Sequence, residues 1–216
     1  MLVSESCLVK GSHRVLYVAL GALGFLLALL FDHPRIERAR WAKLTIGVVA
    51  FAALGYAVGA AALHPSRFTF PSGVAPVGWA LAGVFLILFL YSVFLEIPFR
   101  QAYLGAQDNA QVVDTGTYAM SRHPGVLWAA LALVFLVMAT GSKVLLIATP
   151  VWILLDVVWA YVEDRFYFPK TFPGYEDYKK EVPMFIPTAS SVRKAAKTIR
   201  TSREKPNPEG INGRDA

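Results

Sequence analysis

Two short polar clusters border apolar runs in the C-terminal half of this chain, and they carry the residue types that could do chemistry. The first lies at the start of an apolar run and consists of Arg122, His123 and Pro124. The second directly follows the last apolar run and consists of Glu163, Asp164 and Arg165. Charged side chains are costly in hydrocarbon, so residues at such borders face water, a partner or a ligand. About 38 residues separate the clusters, enough for two membrane crossings and a tight turn, so we expect the clusters to meet in space.

Together the clusters offer charges that suit a zwitterionic ligand. Arg122 is a cationic donor, His123 is a titratable ring, and Glu163 and Asp164 are carboxylates. S-adenosylmethionine is one such ligand, because its ammonium and sulfonium match carboxylates and its own carboxylate matches an arginine fork. The alternative is that these residues are helix caps and snorkelling side chains, as at many membrane boundaries.

The composition is typical of a membrane protein. Of the 216 residues 56% are hydrophobic, and the mean hydropathy is +0.48, which is too apolar for an ordinary soluble domain. The single cysteine, Cys7, can form neither an internal disulfide nor a metal-binding pair, so we expect no metal site. The net charge of +6 comes from Lys and Arg beside apolar runs and in the tail, which favours a membrane surface over nucleic acid as the partner.

Five apolar runs predict an all-α integral membrane fold with about five transmembrane helices. The predicted spans are residues 15–31, 44–63, 77–95, 126–140 and 144–162. A three-residue connection at 141–143 predicts an antiparallel hairpin of the last two. Seventeen Lys and Arg fall on one side of these spans and four on the other, which predicts an N-terminus outside and a cytoplasmic C-terminus. Both polar clusters would then face the cytoplasm.

The C-terminal region changes character after the last span. An aromatic and charged stretch predicts an interfacial helix at Tyr175–Glu181. Residues 188–216 lose large apolar side chains and gain Arg and Lys, so we expect a disordered basic tail, with a short basic helix at 191–200 on anionic lipid.

Three further features carry weaker hypotheses. Gly55 and Gly59 have a GxxxG spacing that favours close helix packing. Glu96 and Arg100 are four residues apart, which predicts a salt bridge at a helix end. Asp156 lies within the fifth span, where an acid is a functional candidate that could be protonated, hydrogen-bonded nearby, or lining a substrate path.

An ordered series of motifs resembles the isoprenylcysteine carboxyl methyltransferase and phospholipid methyltransferase superfamily. The series covers about residues 111–187 and consists of Thr115-Gly116-Thr117-Tyr118, Ser121-Arg122-His123-Pro124, a helical hairpin, Glu163-Asp164, Gly174-Tyr175-Glu176-Asp177-Tyr178 and Val182-Pro183-Met184-Phe185-Ile186-Pro187. The resemblance implies an integral membrane enzyme that transfers a methyl group from S-adenosylmethionine, bound on the cytoplasmic side, to a lipid or lipid-like acceptor.

The resemblance also implies a division of the chain and a set of cofactor-binding residues. Residues 1–110 would be an N-terminal three-span region, 111–187 the methyltransferase core, and 188–216 the tail. The cofactor-binding positions carried over are Tyr118, Arg122, His123, Pro124, Glu163 and Asp164, with Arg165 as a weaker addition. In this interpretation His123 contacts the adenosyl part or orients the loop, and Glu163 meets the methionyl ammonium. No residue stands out as a catalytic base.

The chain departs from the family pattern at three positions. Val126 and Trp128 stand where the family commonly has Tyr and Gly, and Asp164 replaces the second Glu of an acidic pair. The ring of Trp128 would occupy space that a glycine leaves open for the backbone to approach the cofactor. These departures leave a non-catalytic lipid-binding or scaffold protein as the alternative function. Within the enzyme hypothesis, a prenylcysteine carboxylate, a phospholipid amine and a small apolar thiol all fit as acceptors.

Overall fold

The computed structural model describes the backbone of residues 2–31, 40–97 and 112–204, and the side chains of residues 14–30, 41–97 and 112–199. Within these ranges the fold is all-helical, as predicted, apart from an isolated antiparallel bridge between Arg67 and Ser142. The five longer helices of the bundle are α1 (Leu2–Phe31), α2 (Arg40–Leu63), α3 (Val74–Leu90), α4 (Pro124–Thr140) and α5 (Lys143–Val162). They are followed by α6 (Phe168–Thr171), α7 (Tyr175–Glu181) and α8 (Ala189–Glu204).

Three of the helical segments are long and apolar enough to cross a membrane. They are Trp41–Leu63, Val74–Glu96 and Lys143–Thr171, and the last two include π-helical turns at Tyr91–Glu96 and Glu163–Tyr167. The apolar helices Arg14–Leu30 and Pro124–Thr140 are shorter. The ends of α4 are fixed by Pro124 at its first turn and by Gly141, whose φ of 63° is in the left-handed region, so α4 stops short of the roughly 20 residues of a typical crossing.

The long helices pack as two pairs joined by α5. Helix α1 packs along α2, α3 packs along α4, and α5 contacts both α1 and α4. Trp152 of α5 is 1% exposed and its indole Nε1 donates a hydrogen bond of 3.2 Å to the carbonyl of Val18. A Cβ atom at Gly21 would overlap that indole, so α1 and α5 cross at a glycine. A small residue is what allows two helices to approach this closely.

A second close crossing joins α3 and α4 at Gly78. A Cβ atom there would lie 2.8 Å from Cα of Ala139, so the two backbones are nearly in contact. The predicted packing of the GxxxG pair is wrong: a Cβ at Gly55 or Gly59 would meet no atom of the described chain within 4 Å. The face of α2 that packs inward instead presents Ala57 and Ala61, both 0% exposed.

The predicted hairpin of α4 and α5 is confirmed, and it is held by the loop between α2 and α3. Phe68 N donates to the carbonyl of Gly141 at 2.8 Å, and Lys143 N donates to that of Ser66 at 2.9 Å. The Arg67 guanidinium donates to the Thr140 carbonyl at 2.9 Å. These bonds satisfy carbonyls at the end of α4 and an N–H group at the start of α5 that the helices themselves leave unpaired.

The tail is more ordered than the sequence indicates. The prediction of disorder is wrong for residues 189–204, which form α8, whereas the short basic helix expected at 191–200 lies within it. Thr188 and Ser191 start the helix by reciprocal bonds, because each side-chain oxygen accepts from the backbone N–H of the other, at 3.0 and 3.2 Å. Helix α8 packs against a 3₁₀ turn at Gly116–Ala119, directly before the first polar cluster.

Candidate functional site

The 3₁₀ turn before the first polar cluster is fixed to the end of α3 by Glu96. The Glu96 carboxylate accepts hydrogen bonds from the backbone N–H of Thr117, at 2.6 Å, and from the Thr117 hydroxyl. Gly116 has a φ of 58°, which favours glycine, and a Cβ there would collide with the Glu96 carboxylate. Both the backbone conformation and the close contact therefore require glycine at this position. Glu96 is a residue that sequence reasoning did not place at the site. Arg100, its predicted partner, lies outside the described residues, so that ion pair stays a prediction.

The segment after α7 holds the first cluster through backbone bonds. Arg122 N donates to the Pro183 carbonyl at 2.9 Å, and His123 N donates to that of Met184 at 3.1 Å. The Ser121 hydroxyl also donates to the Met184 carbonyl, at 2.9 Å. These contacts give a physical reason for the order of the motifs, because the closing segment supplies acceptors to the residues just before α4.

The two polar clusters meet, as predicted, through Arg122 and Asp164. Arg122 Nε lies 2.9 Å from Asp164 Oδ1, and Nη2 donates to Oδ2 at 3.3 Å. The same guanidinium donates to the carbonyls of Lys179 and Val182 at 3.0 and 3.1 Å. The Arg122 fork is therefore engaged by the protein itself, and it joins the start of α4, the end of α5 and α7.

Asp164 has a second strong partner that sequence reasoning missed. The Tyr175 hydroxyl donates to Asp164 Oδ1 at 2.7 Å. Burial, followed by this carboxylate, raises the pKa of Tyr175 above its usual value, so the phenol keeps its proton and remains a donor. The Lys179 ammonium lies 3.9 Å from Asp164 Oδ2. The Tyr-x-x-Tyr motif at Tyr175 and Tyr178 could have indicated this contact, because a buried tyrosine hydroxyl needs a hydrogen-bond partner.

His123 is buried between the two carboxylates of the second cluster. Its Nε2 lies 3.5 Å from Asp164 Oδ1 and its Nδ1 lies 3.9 Å from Glu163 Oε2. The ring stacks on Phe168, with centroids 5.7 Å apart and planes 13° apart. Burial lowers the pKa of His123, although the nearby Asp164 carboxylate opposes that shift. The ring is consequently neutral at neutral pH.

The two residues of the acidic pair, Glu163 and Asp164, differ in how deeply their side chains are buried. The Asp164 side chain is 8% exposed and carries the contacts with Arg122 and Tyr175, whereas the Glu163 side chain is 17% exposed. The Arg165 side chain is exposed and makes no ion pair among the described residues. Glu163 is thus the acid of the cluster that is more accessible to a ligand, and Arg165 does not belong to the buried network.

Tyr118 and Pro124 lie at opposite ends of the loop that leads into α4. The Tyr118 hydroxyl donates to the Ser92 carbonyl at 3.3 Å, and its own carbonyl accepts from the Tyr178 hydroxyl at 2.7 Å. Pro124 is fully buried in the first turn of α4. Tyr118 therefore anchors the loop to α3 and α7, and Pro124 fixes where the helix begins.

Two of the three departures from the pattern of the resembled family, Val126 and Trp128, lie on α4. Val126 is half-buried. The Trp128 ring stacks on Phe85 of α3, with centroids 6.0 Å apart and planes 19° apart. Its Nε1 is buried and has no hydrogen-bond partner in the described chain. Trp128 therefore packs against α3.

Asp156 is half-buried on α5, and its role as a functional acid stays a hypothesis.

A groove of about 360 Å³ opens beside the network, between residues 112–114, α7 and α8. Its charged lining residues are Asp114, Asp177, Glu181 and Lys194. Lys194 pairs with Glu181 at 2.7 Å and lies 3.8 Å from Asp114, so the ammonium of α8 spans the groove.

Comparison of the chain with protein-family models, with curated proteins and with solved structures found no match.

Proposed function

We propose that this protein is an integral membrane methyltransferase that moves a methyl group from S-adenosylmethionine to a lipid or lipid-like acceptor. The observation that carries the proposal is the meeting of the loop before α4 with the acidic pair after α5, around the contact of Arg122 with Asp164. These are the segments that the resemblance assigns to cofactor binding. Glu163 suits the cofactor's ammonium in charge and the rings of His123 and Phe168 suit its adenosyl part, whereas the Arg122 fork is engaged by Asp164.

Within this proposal the site residues divide into two roles. Arg122 and Asp164 satisfy one another, so they act as positioning residues that hold the loop. Glu163 is the more exposed acid and would meet the cofactor's ammonium, with His123 beside it for the adenosyl part. The stacked ring of Phe168 adds an aromatic surface next to His123.

The bound cofactor supplies an already activated methyl group on its sulfonium. The chain's own residues then need only to align the acceptor with that group and to exclude water. An anionic acceptor, such as a carboxylate or thiolate, needs no base, whereas an amine must lose a proton. The sequence singles out no catalytic base, and this favours an anionic acceptor such as a prenylcysteine carboxylate.

We further propose five crossings, with the N-terminus outside and the C-terminus in the cytoplasm. The polar network and the basic C-terminal helix would then share the cytoplasmic face, as the distribution of Lys and Arg predicts. The two 17-residue apolar helices would cross with little tilt or with local thinning of the bilayer. Lateral entry from the bilayer would deliver the acceptor.

A non-catalytic scaffold or lipid-binding protein is the second candidate. It is favoured by the pairing of Arg122 with Asp164 and with two backbone carbonyls, because charges that pair within the protein can serve structure alone.

Calorimetric titration of the detergent-purified protein with S-adenosylhomocysteine separates the candidates. The enzyme hypothesis predicts saturable binding that Glu163→Gln weakens about tenfold or more, because a charge-assisted hydrogen bond is lost. Arg165→Gln is the matched control at the neighbouring exposed position and should bind as the wild type does. Absence of binding to a folded wild-type sample at ~1 mM ligand would support the scaffold instead.

A further inference from the structure

We propose that α8 lies on the anionic headgroup layer of the membrane, with an exposed strip of apolar and basic side chains as its lipid-binding surface. The apolar strip of this surface consists of Val192 and Ile199, and the exposed basic side chains of Arg193 and Lys197 lie on the neighbouring part of the helix surface. The inference rests on the membrane setting proposed above but not on methyl transfer. It assigns a partner to a helix that lies outside the predicted cofactor site.

The docking of α8 places it at the end of a candidate span. Gly116 N donates to the Thr198 hydroxyl at 3.1 Å, and the adjacent Thr117 N is bonded to Glu96 at 2.6 Å. Glu96 is the last residue of the apolar segment Val74–Glu96. Two hydrogen bonds, through the adjacent residues Gly116 and Thr117, thus connect α8 to the position where that segment would leave the bilayer.

The helix separates a docked side from an exposed side. Ser191 and Ala195 are four residues apart and are 2% and 7% exposed, so they form the docked side. Val192 and Ile199 are seven residues apart, or two turns, and each remains 46% exposed. A helical register of this kind puts both apolar side chains on one strip that the rest of the protein does not cover.

The charge of α8 indicates which partner covers that strip. The helix sequence contains five basic residues and one acidic residue, and only two large apolar residues. This is typical of helices that lie in the headgroup layer, where a few apolar side chains enter the acyl boundary and the cations face anionic lipid. Each basic residue near such a surface strengthens its occupancy about fivefold. Leu95 and Ile186, from the same end of the bundle, are 75% and 80% exposed and would extend the apolar contact.

The position of α8 has a consequence for the neighbouring loop. Lys194 reaches from α8 to Glu181 of α7 and towards Asp114, while Thr198 holds Gly116. The same helix that binds lipid therefore contacts both segments that frame the polar network. Seating α8 on the membrane would stabilise the loop that carries Tyr118.

Depth-dependent fluorescence of the full-length protein in lipid nanodiscs tests the proposal. An environment-sensitive label is placed at Val192→Cys or Ile199→Cys in a Cys7→Ser background, and each sample is checked for folding by thermal melt. We expect a blue shift and quenching by headgroup-level nitroxide lipid in discs with 30% phosphatidylserine, as an order-of-magnitude choice of anionic content, and much less in phosphatidylcholine discs. Ser190→Cys, exposed elsewhere on the helix, is the matched label control and should stay in water.

Charge variants complete the test. Arg193→Gln should lower the ratio of lipid-contacting to water-exposed label about fivefold, whereas Lys180→Gln, an exposed position on α7, should leave it unchanged. Equal exposure of the labels in both lipid compositions would overturn the proposal. Binding of S-adenosylhomocysteine is measured on the same samples. A failure of the cofactor hypothesis can then be distinguished from a failure of the proposal that α8 binds lipid.

Discussion

The Arg122 guanidinium contacts both carboxylate oxygens of Asp164, with Nε 2.9 Å from Oδ1 and Nη2 3.3 Å from Oδ2. Only about a tenth of either side chain is exposed. A buried pair of this geometry is costly to break, because the remaining charge keeps its burial and loses its partner. Neutralising Asp164 should therefore destabilise the fold more than neutralising its neighbour Glu163.

Asp164→Asn should destabilise the protein by about 3–5 kcal/mol, because it leaves the Arg122 guanidinium buried without its counter-charge. Glu163→Gln should cost less, because the Glu163 side chain is 17% exposed against 8% for Asp164 and its ion pair with His123 is longer, at 3.9 Å. Equilibrium unfolding in detergent, followed by tryptophan fluorescence, measures both. Equal losses in the two variants would contradict the division of the acidic pair into a structural and an accessible member.

Stability should fall as the pH drops below about 6.5, the ordinary pKa of histidine. Burial lowers the pKa of His123 in the folded state, so between the folded and unfolded pKa values the unfolded chain binds the extra proton. Acid therefore favours unfolding in that window, by at most about 1.4 kcal/mol per pH unit, and the contribution is fully present above it. Unfolding curves between pH 7.5 and 5 as an order-of-magnitude range test this. His123→Asn should flatten the slope, whereas His64→Asn, at the other end of the bundle, should retain it.

Much of the fold was predictable because apolar runs, and the Pro and Gly residues that begin and end helices, act locally. The hairpin of α4 and α5 follows from a connection too short for anything else. A helix was predicted around Tyr175–Glu181 and is found there, whereas its interfacial position stays a prediction. The meeting of the two polar clusters followed from counting crossings, whereas the pairing of Arg122 with Asp164 did not. The identity of close helix contacts did not follow, because Gly55 and Gly78 look alike in sequence while only the second faces another backbone.

The structural partners of the site residues were the least predictable part. Tyr175 and Glu96 reach the network through tertiary contacts that no local spacing encodes. The tail was predicted as disordered from its polarity, yet α8 needs only small residues such as Ala195 to dock on the turn at Gly116–Ala119. Composition indicates how much apolar area a helix has, but not whether a complementary surface exists for it.

Gly116→Ala should weaken the loop more than Gly174→Ala does. Both glycines have positive φ, 58° and 80°, so each substitution carries the strain of the left-handed region, about 1–2 kcal/mol. Only at Gly116 would the new Cβ also displace the Glu96 carboxylate from its bonds to Thr117, whereas a Cβ at Gly174 meets nothing within 4 Å. Thermal melts of the two variants give the comparison. Equal destabilisation would show that the Glu96 contact contributes little.

Gly78→Val should disrupt the bundle, whereas Gly55→Val should be tolerated. At Gly78 the first added carbon already lies 2.8 Å from Cα of Ala139, and backbone atoms cannot move aside as a flexible side chain can, so α3 and α4 must separate. Overpacking of this kind typically costs about 1–3 kcal/mol or more. Gly55 has the same residue type on an apolar helix and an open surround, so it serves as the matched control. Separation of α3 from α4 would also shift Glu96 relative to Thr117, since the two lie at the ends of that pair. Unfolding in detergent should therefore show a loss at Gly78 only, and a similar loss at both positions would mean that the two glycines act through helix propensity rather than through the α3–α4 crossing.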